Sequence, residues 1–429
     1  MDLAVVLVGN RRSWNSLGAL AGALEVDARF EALELVFASP ASAPALTRTL
    51  ATRFGQVVAG FSFTTLDLAQ VATQVAELRR ALPPEVRPRV ALVAGGPHAT
   101  AAWRSTLALG FDYAVIGEGE AAFPELLWYL AGHQRQPCRV PGVAYRAADG
   151  AFVHNGWAPR ISLERYPPFS VRYRHQGPIE ISRGCRHRCR FCATPYLTGR
   201  HVRHRPLAQV IRYVESCLRH GLDQVRFIAP NSFAYGSEDD TPRLDLLGEL
   251  LRTTSELAGG QNTFLGSFPS EVRPESVTPQ AVELVARYCG NDNLVIGAQS
   301  GSQRMLDRMQ RGHSVADILR AAEVIRAGGL RANVDIIFGL PGETAEDRLD
   351  TLRLIDQLAV RGARIHSHAF LPLPGAPWAH CPLGTIDEAT ARHLGALAGQ
   401  GLQYGSWQAQ AEKARQALEL LATLARGVG

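Results

Sequence analysis

The chain has 429 residues, of which 46% are hydrophobic and 20% charged, with a net charge of +5 carried almost entirely by arginine. That length suggests two domains, and the mild, dispersed charge argues against a nucleic-acid-binding surface or an acidic disordered chain. The first residues lack the basic run and apolar core of a signal peptide, and no stretch reaches the roughly 18 apolar residues of a membrane span, so a cytoplasmic protein with no membrane partner is expected.

In chain order, the first 135 residues alternate strand-like and helix-like segments. Leu3–Val8 runs into Gly9-Asn10, Leu33–Ala38 into a Pro/Ser/Ala stretch, and Val57–Ala59 into Gly60-Phe61-Ser62. Leu66–Leu82 has a helical pattern, Val90–Ala94 ends on Gly95-Gly96-Pro97-His98, and Tyr113–Ile116 ends on Gly117-Glu118-Gly119-Glu120. Five such units predict an N-terminal Rossmann-like, doubly wound parallel sheet over residues 1–135, with ligands bound at the carboxyl ends of its strands. Residues 136–178, rich in proline from Pro137 to Pro178, read as a linker with a small hairpin near Gly142–Val153.

From Ile179 a second α/β series begins. Its candidate strands are Ile179–Ser182, Gln224–Ile228, Thr263–Ser267, Leu294–Ala298, Asn333–Phe338 and Ile365–Phe370. Six β/α units predict a partial (β/α)6 TIM-type barrel over residues 179–375, followed by a helical C-terminal tail over 376–429.

Seven cysteines, an odd number, do not suggest a disulfide framework. Three of them form Cys185-x3-Cys189-x2-Cys192 directly after the first strand of the second series. Three thiolates can each take one iron of a [4Fe–4S] cluster and leave the fourth iron open. Two other readings remain at this point: a zinc site completed by His187, His201 or His204, or three unliganded buried thiols. Cys217 and Cys289 read as small core residues.

The cysteine segment, with Phe191 before its last cysteine, resembles the radical SAM (S-adenosylmethionine) superfamily. So do Gly266–Pro274, Gly297-Ala298-Gln299-Ser300-Gly301-Ser302, Met309-Gln310-Arg311-Gly312-His313 and Asp335–Thr344. The resemblance covers roughly residues 179–370. It implies that Cys185, Cys189 and Cys192 hold the cluster, and that SAM is cleaved there to a 5′-deoxyadenosyl radical. It further implies Arg311 at the SAM carboxylate, Glu271 near the amino or ribose groups, Gln299 with neighbouring Ser300 and Asp335 at the ribose, and the backbone of Phe338-Gly339-Leu340 at the adenine. Pro230-Asn231-Ser232 departs from the Gly-Gly-Glu turn of the pattern.

The N-terminal half is similar to the cobalamin-binding domain that precedes many radical SAM domains. The matching residues are Ser62, Gly96, Pro97, His98, Glu118 and Gly119. The Asp-x-His-x-x-Gly signature is absent, so no histidine ligand to cobalt is expected from it. Together the resemblances imply a cobalamin-dependent radical SAM enzyme that transfers a methyl group to carbon of a small or medium organic substrate. It would draw electrons from a flavodoxin- or ferredoxin-type donor. The alternatives are cobalamin-dependent rearrangement or cyclisation, a methylthiotransferase-like enzyme, and a non-catalytic sensor. Residues 1–135 contain no cysteine for the further cluster of a methylthiotransferase. Phe233–Tyr235, His366–His368 and Leu373–Trp378 are the expected substrate contacts.

Overall fold

A computed structural model of the chain describes residues 1–133 and 138–427. It divides into two compact units, Met1–Gly177 with Lys413–Gly429, and Pro178–Glu412. The expected boundary at 135/136 and Pro137 lie outside the described residues.

In the first unit, β1 (Leu3–Val8) is an unbroken apolar run buried at every position, as a central parallel strand covered on both faces must be. It is joined by β2 (Glu34–Ala38), β3 (Gln56–Ser62), β4 (Val90–Gly95) and β5 (Tyr113–Val115). β6 (Val143–Arg146) and β7 (Phe152–His154) complete a sheet of order β2-β1-β3-β4-β5-β6-β7. The first five strands are parallel and the last two antiparallel. Alternate residues feed two cores: Val6, Ala59 and Leu92 meet Leu50 and Leu78 on one face. Val5, Val58 and Val93 meet Leu17 and Leu126 on the other. The strand order reverses between β1 and β3, which puts the ligand-binding crevice of a doubly wound sheet at Asn10 and Ser62.

The segment expected to be a linker is part of this unit. Its hairpin extends the sheet, and His175 is sandwiched between Trp14 and Phe37 with ring centroids 3.7 Å from each. The C-terminal region is also divided. The helix Glu388–Gly399 and β16 (Gln403–Tyr404) belong to the second unit, whereas Ala417 of the helix Trp407–Gly427 packs in the first unit's core.

In the second unit the six expected strands appear in order, shortened where the pairing is irregular. They are β8 (Ile179–Glu180), β11 (Val225–Ile228), β12 (Thr263–Phe264), β13 (Asn293–Gln299), β14 (Arg331–Phe338) and β15 (Arg364–Ala369). Parallel pairing gives the orders β12-β11-β8 and β13-β14-β15-β16. A parallel bridge from Val272 to Ile296 and a bond from Val295 N–H to Gly266 carbonyl (2.9 Å) link the two groups. Strands in chain order separated by helices are the succession of an open β/α barrel. Several helices begin on caps that the sequence carries: Thr278 accepts from Ala281 N–H, and Ser314 with Asp317 and Thr344 with Asp347 form capping boxes.

Expected strand Ile179–Ser182 instead changes partners midway. β9 (Ser182–Arg183) leaves the parallel sheet to pair antiparallel with β10 (Arg203–His204). This two-stranded clasp closes the base of the cysteine loop.

Candidate active site

The cysteine loop is fixed by its backbone. Gly184 opens it at φ +101°, and a Cβ there would lie 2.5 Å from His201 carbonyl oxygen, so only glycine fits. Cys185 N–H donates to Gly199 carbonyl (2.9 Å), Arg190 N–H to Met309 carbonyl (2.9 Å), and Trp378 N–H to Arg190 carbonyl (3.1 Å). The loop is thereby held to its own return strand, to the segment before Arg311 and to the loop after β15.

All three cysteines line one cavity of about 360 Å³, together with Phe191, Glu271, Gln299 and Arg311. Spacing separates the two metal readings. Donors around one tetrahedral zinc lie about 3.8 Å apart. Among the described residues, the set of three or more ligating side chains whose donor atoms all fall within 4.8 Å of one another is Asp335, His366 and His368, not the cysteines. The three thiols do not meet that single-ion spacing. His204 is also engaged at both ring nitrogens, by Ser182 Oγ (2.8 Å) and Ser237 carbonyl (3.0 Å), and His187 Nε2 lies 2.8 Å from Asp240 Oδ2. Burial pushes the Cys185 thiol up to about 11 and raises that of Cys192. Thiolates there need a metal's positive charge to offset desolvation.

Beside the cysteines, Gly297 is the point of convergence. A Cβ at Gly297 would lie 2.6 Å from Arg311 Nη2, 2.8 Å from Gln299 Nε2 and 3.0 Å from Glu271 Oε2. Gln299 reaches this position from a β-bulge at φ +76°. Arg311 donates from Nη2 to Gly297 carbonyl (2.6 Å) and from Nη1 to Cys189 Sγ (3.6 Å), while its buried Nε has no hydrogen-bond partner among the described residues. Burial raises the Glu271 carboxyl, with the Arg311 charge opposing. Arg273 pairs with Glu275 (2.5 Å) and donates to Arg311 carbonyl, and its charge also opposes the rise of Glu271. An unfilled guanidinium nitrogen, a carboxyl and an amide around one glycine, beside three thiols, fit the amino, carboxylate and hydroxyl groups of SAM.

Other expected residues are placed differently. Ser300 is fully buried, its hydroxyl within 3.2 Å of Thr351 Oγ1 and accepting from Ser302 N–H. Asp335 does not line the cavity and accepts from His366 Nδ1 at 3.0 Å. Phe338 carbonyl accepts from Phe370 N–H and Gly339 N–H donates to Glu343, while Leu340 carbonyl accepts from Glu343 N–H. That backbone is largely engaged within the fold. Phe233 and Tyr235 are buried, Tyr235 Oη donating to Arg205 carbonyl. Asn231 is held by Ser276 and Arg273, which replaces the Gly-Gly-Glu turn with a locked corner. Cys217 and Cys289 are core residues. Glu180, Asp240 and Arg273 line the cavity without having been singled out in the sequence, because their role depends on the clasp and on loop contacts.

In the first unit, Ser62 lies at the β1/β3 crevice, its hydroxyl 2.8 Å from Ser16 Oγ, and Pro97 is the second residue of the helix Gly96–Ala101. Gly96 is required by packing, since a Cβ would lie 2.8 Å from Ser62 Oγ. His98 is buried, its Nδ1 3.0 Å from Thr65 Oγ1, and burial lowers its pKa to about 4. Glu118 accepts from Ile161 N–H (2.8 Å), and Gly119 abuts Leu20. Ser16 and Ser62 place two small hydroxyls at this crevice.

Fold and site together define a radical SAM protein. Residues 179–355 match the model of the Radical SAM superfamily and residues 19–127 that of the B12 binding domain. The chain thus carries a radical SAM domain and a B12-binding domain, whose cofactors are a [4Fe–4S] cluster, SAM and cobalamin. Among solved structures it resembles the methyltransferase TsrM from Kitasatospora setae with cobalamin and [4Fe–4S] cluster bound. The TM-score is 0.66 at 17% identity, over 88% of this chain and 74% of that one. The cobalamin-dependent radical enzyme OxsB with aqua-cobalamin gives 0.64 at 14% identity, over 82% and 52%. In sequence it is 27% identical to the uncharacterized protein MK0932 of Methanopyrus kandleri, over 70% of this chain and 66% of that one. It is 31% identical to a tRNA-2-methylthio-N(6)-dimethylallyladenosine synthase of Shewanella denitrificans, over 52% of this chain and 47% of that one. The chain thus spans about half the length of such synthases. No helix among the described residues is long and apolar enough to cross a membrane.

Proposed function

We propose that this radical SAM enzyme transfers a methyl group to a carbon atom of a small or medium organic substrate. One observation carries the reading: a three-thiol cluster site with an adjoining SAM-shaped polar convergence occurs in the same chain as a B12-binding domain. When bound, the cluster supplies the electron that cleaves SAM and cobalamin supplies a methyl carrier. The chain's own residues do the positioning. Arg311 would hold the SAM carboxylate through its free Nε, Glu271 the amino group, and Gln299 a ribose hydroxyl. Because Arg311 Nη1 contacts Cys189 Sγ (3.6 Å), a carboxylate held by Arg311 would lie beside the thiols that would hold the cluster. Phe191 adds an apolar wall to the same cavity. In the other unit, Ser62 and Pro97 border the crevice proposed for cobalamin.

Anaerobic reconstitution with iron, sulfide and cobalamin, followed by mass spectrometry after addition of SAM and reductant, tests the reading. Both 5′-deoxyadenosine and S-adenosylhomocysteine are expected. 5′-Deoxyadenosine alone would replace methyl transfer by rearrangement or cyclisation, and neither product would leave a cofactor-binding sensor.

A further inference from the structure

β14 and β15 are parallel neighbours in which Asp335 is in register with His366, and Ile337 with His368. Burial alternates along both strands, which puts Asp335, His366 and His368 on one half-exposed face of the sheet. Their donor atoms all lie within 4.8 Å of one another. Asp335 Oδ1 is 3.0 Å from His366 Nδ1 and 3.9 Å from His368 Nε2.

Gln410 orients one ring: His368 Nδ1 lies 3.2 Å from its Oε1, which turns Nε2 toward Asp335. His366 Nδ1 meets the same carboxylate oxygen, so two imidazole nitrogens converge on it, and a bound cation would take the place of the proton shared there. The spacings suit one: bonds of about 2.1 Å place the donors around an ion roughly 3–4 Å apart. A histidine whose second nitrogen donates to a neighbouring oxygen is also the usual form of a metal ligand. The other ring is fixed as well. His366 stacks on Tyr404 at 4.7 Å, and Gly405 packs so closely that a Cβ there would come within 2.5 Å of His366 Nε2.

We propose that Asp335, His366 and His368 form a mononuclear site for a divalent transition-metal ion, distinct from the cysteines but beside their cavity, since Asp335 is in register with Gly297. Two imidazoles and one carboxylate favour zinc, iron, cobalt or nickel over magnesium or calcium. Three protein ligands leave positions open for an oxygen or nitrogen donor of the substrate. This assignment replaces the ribose contact expected of Asp335 and does not depend on methyl transfer.

Metal analysis of the anaerobically reconstituted holoenzyme, after equilibration with Zn(II) and removal of excess, tests it. The expected content is about one zinc per chain beside about four iron and one cobalt. Asp335→Asn, His366→Gln and His368→Gln should each abolish the zinc while iron and cobalt are retained. Gln410→Ala, which leaves every ligand in place, should weaken zinc binding about tenfold or more. No zinc in the wild type, zinc undiminished in all three ligand variants, or zinc that appears only as iron is lost would overturn the site. Missing iron or cobalt would instead count against the cofactor reading above.

Discussion

Gly297 sets the geometry of the cavity by having no side chain, because Arg311, Gln299 and Glu271 all close over its Cα. Gly297→Ala is expected to displace all three and raise the SAM dissociation constant about tenfold or more, as loss of a charged hydrogen bond does. Equilibrium binding of SAM to the reconstituted protein checks this; unchanged affinity would mean the three groups do not hold SAM. That the three cysteines, Glu271 and Arg311 would meet was legible because type and spacing single them out. The glycine's role was not, since it arises from side chains 26 residues before it and 14 after it meeting in space. The internal partners of Ser300 and Glu118 were illegible for the same reason, since a linear motif does not record such pairing.

Among the elements, the barrel helices follow their written caps. Ser314→Ala removes the box at the helix Val315–Ala327 and should lower stability by about 1 kcal/mol, measured by denaturant unfolding. The turn after β14 adds a pH dependence. Burial raises Glu343 to about 7 from 4.5, although Gly339 N–H donates to it. The native state therefore keeps a proton that the unfolded chain loses, so stability falls as pH rises from about 4.5 to about 7, by up to about 3 kcal/mol. Glu343→Gln should abolish that decline, and a parallel decline in the variant would assign it elsewhere. Apolar runs revealed the strands, but their ends were set by pairing: β8 stops where β9 turns to β10, and the two-residue β16 has no periodicity to betray it.

For the molecule as a whole, the order of two α/β series was legible because strand–glycine–helix alternation repeats across each. The division of the remaining segments was not. Proline-rich residues after 138 read as a linker, yet their hairpin pairs with β5, and the C-terminal helix supplies Ala417 to the first core. Since His98 is enclosed by Thr65 and Phe63, the cob(II)alamin form should show no nitrogen superhyperfine splitting from a protein histidine by electron paramagnetic resonance. Such splitting would require a ligand from elsewhere in the chain. The account as a whole depends on three thiols that leave one iron for SAM. Electron paramagnetic resonance of the reduced cluster, recorded with and without SAM, tests this most directly. The spectrum should shift on adding SAM, and the cluster should be lost in Cys185→Ala, Cys189→Ala and Cys192→Ala. A cluster whose spectrum ignores SAM, or one that survives all three substitutions, would contradict it.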